Sequence, residues 1–260
     1  MTYQDLLYEV KGGVARITIN RPERMNAFRA ATVEELLDAF TEASWDKAVG
    51  VIVLAGAGEK SFCSGGDQSG HEGSYEGKGM IGMPIEALQH AIRVAPKPVI
   101  ARVQGYAIGG GNVLATLCDL TIASEKAQFG QVGPKMGSVD PGYGTAYLAR
   151  VVGEKKAREI WYLCRRYTAA EALAMGLVNV VVLHEKLDEE VDKWCAEILD
   201  KSPTALAIAK RSLNADTDHI GGIAGLGMQA LALYYGTAES QEGVNAFLEK
   251  RKPDFRKFVK

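Results

Sequence analysis

Short apolar runs with the character of β-strands alternate with helical patterns up to about residue 184 of this chain. Residues 51–55 form a compact run typical of a buried strand that ends at Gly56, and residues 98–103 form another. Residues 110–117 are predicted to be a helix and residues 120–123 a strand. Because strand–helix–strand repeats favour parallel pairing, this rhythm predicts an α/β fold.

The two ends of the chain depart from this rhythm. Residues 7–10 and 14–20 alternate around Gly12 and Gly13, which predicts an antiparallel hairpin. From about residue 185 onward the sequence contains only helical patterns, at residues 187–199, 203–213 and 220–233. We therefore predict a core over residues 1–200 and a C-terminal helical region over residues 201–260.

The composition argues against several classes of partner. With 47% hydrophobic residues, 260 residues are enough to bury one large core. The 30 basic and 32 acidic residues give a net charge of −2, so no overall basic field would attract nucleic acid or an anionic membrane. No uncharged stretch approaches the ~20 residues of a membrane span, and the N-terminus lacks a basic, apolar leader. We therefore expect a cytoplasmic protein.

The cysteines and histidines are too scattered in the sequence to indicate a metal site or a disulfide framework. The 4 cysteines have no CxxC spacing, and the 4 histidines form no HxxxH-type cluster. We therefore expect no bound metal ion.

Two glycine turns stand where an apolar run ends and a helix could begin. They are Gly65–Gly66–Asp67 and Gly109–Gly110–Gly111. Glycine permits tight turns and close approach of the backbone, and two bare N–H groups that converge on one point form an oxyanion site. Such a site suits an enzyme that forms an enolate or a tetrahedral alkoxide. The ordinary alternative is a pair of strand-to-helix turns without a catalytic role.

Residues 67–83 follow the first turn and contain glycines at 70, 73, 77, 79 and 82. Few side chains in this segment are able to pack, so ordering it is entropically costly. We predict a mobile flap that closes over a substrate, with Tyr75 as its aromatic residue. The alternative is a surface loop without a role.

Residues 129–144 are too rich in glycine to predict a helix and too long for a simple turn. Asp140 is the carboxylate of this stretch, and it could act as a general base or orient an attacking water. Its alternative role is to cap a helix around Tyr147, because Asp is a preferred N-cap residue.

Five segments carry a resemblance to a known family. They are FCSGGDQ (62–68), GYAIGGG (105–111), GSVDPGYG (137–144), ARVVGEKKAREIWYLCRRY (149–167) and KRKPDF (250–255). Along essentially its whole length the chain resembles the crotonase (enoyl-CoA hydratase) superfamily, and within it the naphthoate synthase branch, most closely the 2-ketocyclohexanecarboxyl-CoA hydrolases. The resemblance implies a crotonase-like ββα spiral core with a C-terminal helical subdomain. It also implies a CoA thioester as substrate and no tightly bound cofactor.

The activity implied by this resemblance is the hydrolytic ring opening of a cyclic β-ketoacyl-CoA to pimeloyl-CoA, a retro-Dieckmann reaction of anaerobic benzoate-type degradation. Two alternatives stay open. One is ring closure to 1,4-dihydroxy-2-naphthoyl-CoA, the synthase reaction of menaquinone biosynthesis. The other is a non-catalytic protein of the same fold that binds acyl-CoA or RNA, although the near-neutral charge argues against RNA.

Carried over residue by residue, the resemblance makes the N–H groups of Gly66 and Gly110 the oxyanion hole for the thioester oxygen. Asp140 and Ser138 match the polar catalytic pair of the branch, and Tyr235 matches a tyrosine that reaches the substrate from the C-terminal helices. Further candidates for substrate binding are Gly65, Asp67, Gln68, Tyr75, Gly109 and Lys250.

The chain departs from typical hydratases at both of their catalytic glutamates, where it has Val113 and Gly133. Simple hydration of an enoyl-CoA is therefore not expected. In bicarbonate-using naphthoate synthases a glycine at the position of Gly133 leaves room for the anion, which counterparts of Gln131 and Trp161 hold. The resemblance thus also implies a bicarbonate site.

Three positions argue against the synthase reaction. Met25 stands where an arginine is usual in that branch, and Ser69 and His71 correspond to basic residues of its flap. An unpaired anion is costly to desolvate in a closed site, so these losses disfavour the acidic, carboxylated substrate of the synthase.

The C-terminal run Lys250–Arg251–Lys252–Pro253 is basic. Such a run is commonly a solvated tail. The alternative is a grip on the phosphates of coenzyme A, for which Lys250 is the best match to the family. The resemblance also implies a homo-oligomer, a trimer or hexamer, with contacts supplied by the C-terminal helices.

Overall fold

The computed structural model describes residues 3–69 and 75–259. The strands are β1 (Leu6–Lys11), β2 (Val14–Ile19), β3 (Val51–Gly56), β4 (Ser61–Cys63), β5 (Val99–Val103), β6 (Tyr106–Ile108), β7 (Leu120–Ser124), β8 (Gln128–Gly130), β9 (Tyr167–Thr168) and β10 (Val180–Val182). The α-helices are α1 (Ala30–Trp45), α2 (Ile85–Val94), α3 (Gly110–Leu117), α4 (Gly133–Met136), α5 (Leu148–Val152), α6 (Glu154–Leu163), α7 (Ala169–Ala174), α8 (Leu187–Leu199), α9 (Pro203–Ala215), α10 (His219–Tyr235) and α11 (Ala238–Leu248).

The strands of the described residues form two sheets. The larger has the order β1-β2-β3-β5-β7-β10, in which β1 and β2 are antiparallel and the other neighbours are parallel. The smaller has the order β4-β6-β8-β9, parallel except for the pairing of β8 with β9. The predicted α/β fold with a parallel sheet and a helical C-terminal region is confirmed.

The larger sheet is covered on both faces. Alternate residues of β3 point to opposite sides: Ile52 and Leu54 enter the main core, whereas Val51 and Val53 pack under α8. Because both faces are buried, β3 is apolar at every position up to Gly56, as is typical of a central parallel strand.

Predictions for long segments with clear periodicity were confirmed, whereas the glycine-rich stretch was partly mispredicted. The prediction that residues 129–144 contain no helix is wrong, because α4 lies within them and a π-helical turn begins at Tyr143. Pro134 stands in the first turn of α4, where a backbone N–H has no acceptor within the helix, so the absence of an N–H on proline costs no hydrogen bond. Gly137 ends the helix with φ 70°.

The C-terminal helices are tied to the core by buried polar contacts. Lys210 of α9 donates to Asp119 Oδ2 at 2.7 Å and to two main-chain carbonyls. Arg93 of α2 donates to Thr217 Oγ1 at 2.6 Å. The division at residue 200 stays a prediction. None of the helices in the described ranges is both long and apolar enough to span a bilayer.

Candidate active site

The first glycine turn follows β4 and is fixed by Phe28. Phe28 N donates to Gly65 O at 2.9 Å, and Asp67 N donates to Phe28 O at 2.8 Å, which makes a short parallel bridge. In such a bridge, the residue between the two bonded groups, here Gly66, points its own N–H away from the partner segment. The Gly66 amide is therefore turned away from Phe28, and its N–H donates to no group among the described residues.

The second glycine turn joins β6 to α3. Gly109 has φ 57°, a backbone conformation that favours glycine, and Gly110 is the first residue of the helix. A Cβ on Gly65 would lie 3.1 Å from Gly110 N, and a Cβ on Gly110 would lie 2.5 Å from Phe28 Cζ. The two turns therefore pack directly against each other. An N–H group of the first helical turn has no acceptor within its own helix, so this corner suits an anion.

Tyr75 lies against the first turn. A methyl group built on Gly66 would overlap the Tyr75 hydroxyl, and Gln68 Nε2 donates to that hydroxyl at 3.2 Å and to Gly66 O at 3.0 Å. Burial, together with the nearby Tyr235, raises the pKa of Tyr75 well above its usual value, so the hydroxyl is protonated at neutral pH. Tyr75 thus places a hydroxyl group beside the Gly66 amide.

Asp140 lies in the loop after α4. Its Oδ1 accepts from Gly144 N at 2.9 Å, and its Oδ2 accepts from Gln89 Nε2 at 3.0 Å. Burial raises the pKa of Asp140 from 3.8 to about 6, and the two hydrogen bonds oppose this rise. The residue as a whole is half-buried, whereas protein atoms surround its carboxylate. In the described chain no basic side chain forms an ion pair with it.

The two roles considered for Asp140 are both compatible with this geometry. Gly144 belongs to the π-helical turn Tyr143–Tyr147, so the bond to Gly144 N resembles a helix cap. The other carboxylate oxygen faces Gln89, and it retains a lone pair for a further partner. The capping bond therefore leaves Oδ2 available for chemistry.

Ser138 and Tyr235 form a hydroxyl pair close to Asp140. Ser138 Oγ and Tyr235 Oη are 2.8 Å apart, and Tyr235 is the buried last residue of α10. Burial raises the pKa of Tyr235, the negative charge of Asp140 raises it further, and the bond to Ser138 opposes the shift. Since Tyr235 also interacts with Tyr75, the predicted polar residues and the first glycine turn lie in one region.

Two of the three residues of the predicted bicarbonate site, Gly133 and Trp161, lie close to each other, and Gly133 adjoins Ser138. Trp161 Nε1 donates to Gly144 O at 2.5 Å, so its indole N–H already has a partner. A Cβ on Gly133 would lie 2.5 Å from Ser138 O, so main-chain atoms adjoin this glycine. Gln131 is buried, and its Nε2 has no partner among the described residues. Any bicarbonate bound here would be held by Gln131, and its binding stays a prediction.

Two predicted substrate-binding residues, Asp67 and Lys250, have different surroundings. The Asp67 carboxylate binds Arg21 Nη2 at 2.9 Å and accepts hydrogen bonds from the backbone N–H and the hydroxyl of Ser69. Burial alone would raise the pKa of Asp67, but these contacts lower it overall. Asp67 thus ties the first turn to Arg21. Lys250 is an exposed residue after α11 with φ 54°. Its role toward coenzyme A stays a prediction.

Arg251 of the C-terminal run has partners within the chain. Glu242 of α11 accepts from Arg251 Nη1 at 2.5 Å and from Lys257 Nζ at 3.1 Å. These bonds lower the pKa of Glu242 to about 2. Arg251 therefore fastens the C-terminal segment to α11.

The predicted flap is described in part. Glycines 70 and 73 and His71 lie outside the described residues. In residues 75–83, Tyr75 N donates to Ile81 O at 3.1 Å, and the side chains of Ile81 and Met83 are buried. This part of the segment is therefore anchored to the core, and its closure over a substrate stays a prediction.

Sequence reasoning missed Gln89, which contacts the Asp140 carboxylate. Gln89 belongs to the buried face of α2 with Ile85, Leu88, Ile92 and Arg93. A glutamine at a position where helical spacing demands an apolar residue was the available signal.

Comparisons with known proteins match this chain over almost its whole length. The model of the enoyl-CoA hydratase/isomerase family matches residues 9–258. A solved enoyl-CoA hydratase from Mycobacterium avium subsp. paratuberculosis K-10 is 32% identical, with 98% of this chain and 99% of that chain covered and a TM-score of 0.88. A solved enoyl-CoA hydratase from Bacillus anthracis is also 32% identical, with 97% of this chain and 99% of that chain covered and a TM-score of 0.74.

Proposed function

Since this chain belongs to the enoyl-CoA hydratase/isomerase family, we propose that it hydrolyses a carbon–carbon bond in a cyclic β-ketoacyl-CoA, with 2-ketocyclohexanecarboxyl-CoA as substrate. The observation that carries the proposal is the environment of Asp140. This carboxylate is buried without a basic partner in the described chain, beside the Ser138–Tyr235 pair. The two positions that the resemblance assigns to hydratase glutamates hold Val113 and Gly133 instead.

Asp140 takes the role of general base in this proposal. With a pKa of about 6 it is mostly ionised at neutral pH, yet it is basic enough to accept a proton from water and return it later. The water attacks the ring ketone, and its proton goes to Asp140. Tyr235, bonded to Ser138, donates a hydrogen bond to the ketone oxygen as that oxygen becomes an alkoxide.

Collapse of the adduct breaks the bond between the former ketone carbon and the carbon α to the thioester. The electron pair of this bond forms the thioester enolate, and the amides of Gly66 and Gly110 bind its oxygen. The α carbon then takes up the proton held by Asp140. One water is consumed, and the ketone carbon becomes a carboxylic acid that releases its proton to solvent. The product is the open-chain pimeloyl-CoA.

The homo-oligomer is also part of the proposal. The C-terminal helices expose large apolar side chains: Ile208 and Leu213 on α9, and Leu226 and Leu233 on α10. Apolar residues exposed together commonly mark a contact surface. We expect light scattering to give three or six times the chain mass of 28.0 kDa, and a monomer at micromolar concentration would contradict this part.

The reaction is tested with three thioesters: 2-ketocyclohexanecarboxyl-CoA, o-succinylbenzoyl-CoA and crotonyl-CoA, each followed by mass spectrometry. We expect conversion of the first to a product heavier by one water, with one label in the new carboxylate when the solvent is H₂¹⁸O. Naphthoyl product from the second would support the synthase, and hydration of the third would support a hydratase. No turnover of any of the three would support a binding protein.

Asp140→Asn serves as the matched control for these assays. The substitution keeps the shape of the side chain and removes the base, so turnover of the ring substrate is expected to fall by about 10²–10⁴-fold. Near-normal turnover by this variant would refute the role of Asp140.

A further inference from the structure

Gln89 occupies a position in α2 that packing alone does not explain. It lies on the buried face of the helix between Leu88 and Ile92, and it is fully buried. Its Oε1 has no hydrogen-bond partner among the described residues. A buried amide with an unused acceptor destabilises the folded chain relative to an apolar residue of similar size. The contact that accounts for this position is the one between Nε2 and Asp140.

The geometry around Asp140 assigns separate tasks to its two oxygens. Gly144 N belongs to the main chain and is always a donor, so Oδ1 remains an acceptor in both protonation states. Oδ1 is held by this main-chain bond, so the oxygen that can change its partners on protonation is Oδ2. Gln89 Nε2 occupies one lone pair of that oxygen at 3.0 Å. As long as the Gln89 amide keeps this orientation, a proton on Oδ2 binds the other lone pair, on the side away from α2.

We propose that Gln89 is a positioning residue for Asp140, which holds the carboxylate so that Oδ2 exchanges its proton on the side away from α2. This inference rests on the proposed function, because it gives Asp140 the role of base. The orientation of the Gln89 amide follows from charge, since Oε1 next to an ionised carboxylate would be repelled. Gln89 acts through Asp140 and does not touch substrate.

The charged and titratable groups near this pair are few among the described residues. On α10, Tyr235 interacts with Asp140. On α2, Arg93 donates to Thr217 and lies over the rings of Tyr143 and Tyr147, and Glu86 faces α10 near Gly225. Since Arg93 is engaged elsewhere, Gln89 is the side-chain donor to Asp140 in the described chain.

The test uses two variants and a control. Gln89→Met removes both polar atoms while it keeps an unbranched chain of similar length, and Gln89→Glu keeps the shape but brings a second carboxyl group to Asp140. Ile92→Val removes one methylene from the same buried face and leaves the amide in place. The titration of Asp140 is followed by the infrared carboxyl band, identified as the band that Asp140→Asn removes, so this measurement needs no substrate.

We expect Gln89→Met to raise the midpoint of the Asp140 titration by about one pH unit, since each hydrogen bond to a carboxylate lowers its pKa by about that amount. Gln89→Glu should raise it further, because two facing carboxylates do not ionise together. In ring-opening assays the acid limb of the pH–rate profile should move with the midpoint, and kcat should fall with little change in KM. Ile92→Val should leave both unchanged.

The outcomes separate this inference from the proposed function. An unchanged Asp140 midpoint in folded Gln89→Met would overturn the role of Gln89, whatever reaction the protein performs. A shifted midpoint in a protein that does not open the ring would retain the Gln89–Asp140 pairing and refute the proposed reaction. If Gln89→Met does not fold, Gln89→Glu decides the question by the same titration.

Discussion

Asp140→Asn should stabilise the protein at neutral pH while it removes activity. Burial holds the pKa of Asp140 at about 6, against 3.8 in the unfolded chain, so the native state binds a proton more tightly than the unfolded state does. Stability from this group is therefore fully present below pH 3.8 and is lost as the pH rises through about 6. Asparagine has no such titration.

The magnitude follows from the difference between these pKa values. A displacement of about two units, at about 1.4 kcal/mol per unit, corresponds to ~3 kcal/mol in the free energy of unfolding. Between about pH 4.5 and pH 7.5, roughly 2 kcal/mol of this should be measurable. The stability of the variant minus that of the wild type should therefore increase by that amount across the range.

The folded structure can accept the asparagine. Because Gly144 N fixes an acceptor at the position of Oδ1, the new Nδ2 must face Gln89. Gln89 Oε1 has no partner to lose among the described residues, so its amide can rotate and accept this donor. The substitution therefore keeps a hydrogen bond between the two side chains, while Gln89 Nε2 takes the place of Oε1.

The assay is urea unfolding of both proteins at several pH values and one fixed protein concentration, since oligomerisation makes stability concentration-dependent. Asp67→Asn provides a control of opposite sign. Overall, its ion pair with Arg21 and its bonds to Ser69 lower the pKa of Asp67, so its contribution to stability is lost as the pH falls. A pH-independent difference between Asp140→Asn and wild type would refute the reasoning.

Three further predictions concern other parts of the molecule. Gly110→Ala should lower kcat/KM by about 10²–10³-fold in a steady-state assay. Gly222→Ala should leave kcat/KM unchanged in the same assay, because a Cβ on Gly222 meets nothing within 4 Å. Tyr235→Phe should lower kcat with little change in KM and an unaltered near-ultraviolet circular dichroism spectrum, because only a hydroxyl group is lost. Glu242→Gln should loosen the segment held by Arg251, and hydrogen exchange of residues 251–259 should become faster.

The sequence predicted those elements whose pattern is long or bounded by glycine. Residues 110–117 and 187–199 were predicted to be helices, and α3 and α8 have these bounds. Helical periodicity marks α8, and the triple-glycine turn marks the start of α3. By contrast, β4, β6, β8 and β9 contain two or three residues each, too few to show an alternating pattern. The smaller sheet therefore depended on tertiary pairing that no local signal reveals.

In the candidate site, too, some features could be predicted from the sequence and others could not. Gly66 and Gly110 were identifiable because close backbone approach requires glycine, and the structure places their turns in contact. The roles of Asp140 as a cap or as a base could not be separated in the sequence, since its two oxygens face different partners only after folding. The contact with Gln89 spans 51 residues, and it depends on which face α2 buries.

The backbone also explains why this chain would not readily accommodate the two-glutamate arrangement of typical hydratases. A Cβ at Gly133 would meet Ser138 O at 2.5 Å and Trp161 Cζ3 at 2.9 Å, so a glutamate there requires the main chain around Ser138 to move. Val113 is buried in α3, where an unpaired carboxylate would be strongly disfavoured. The glycine turns, in contrast, are held by main-chain bonds, such as those of Gly109 to Val113 and Gly130, that do not involve the side chain at either position. In the reaction proposed above, a change of carboxylate therefore alters the chemistry and leaves the proposed oxyanion site intact, which is the relation we infer between Asp140 and the two glycine turns.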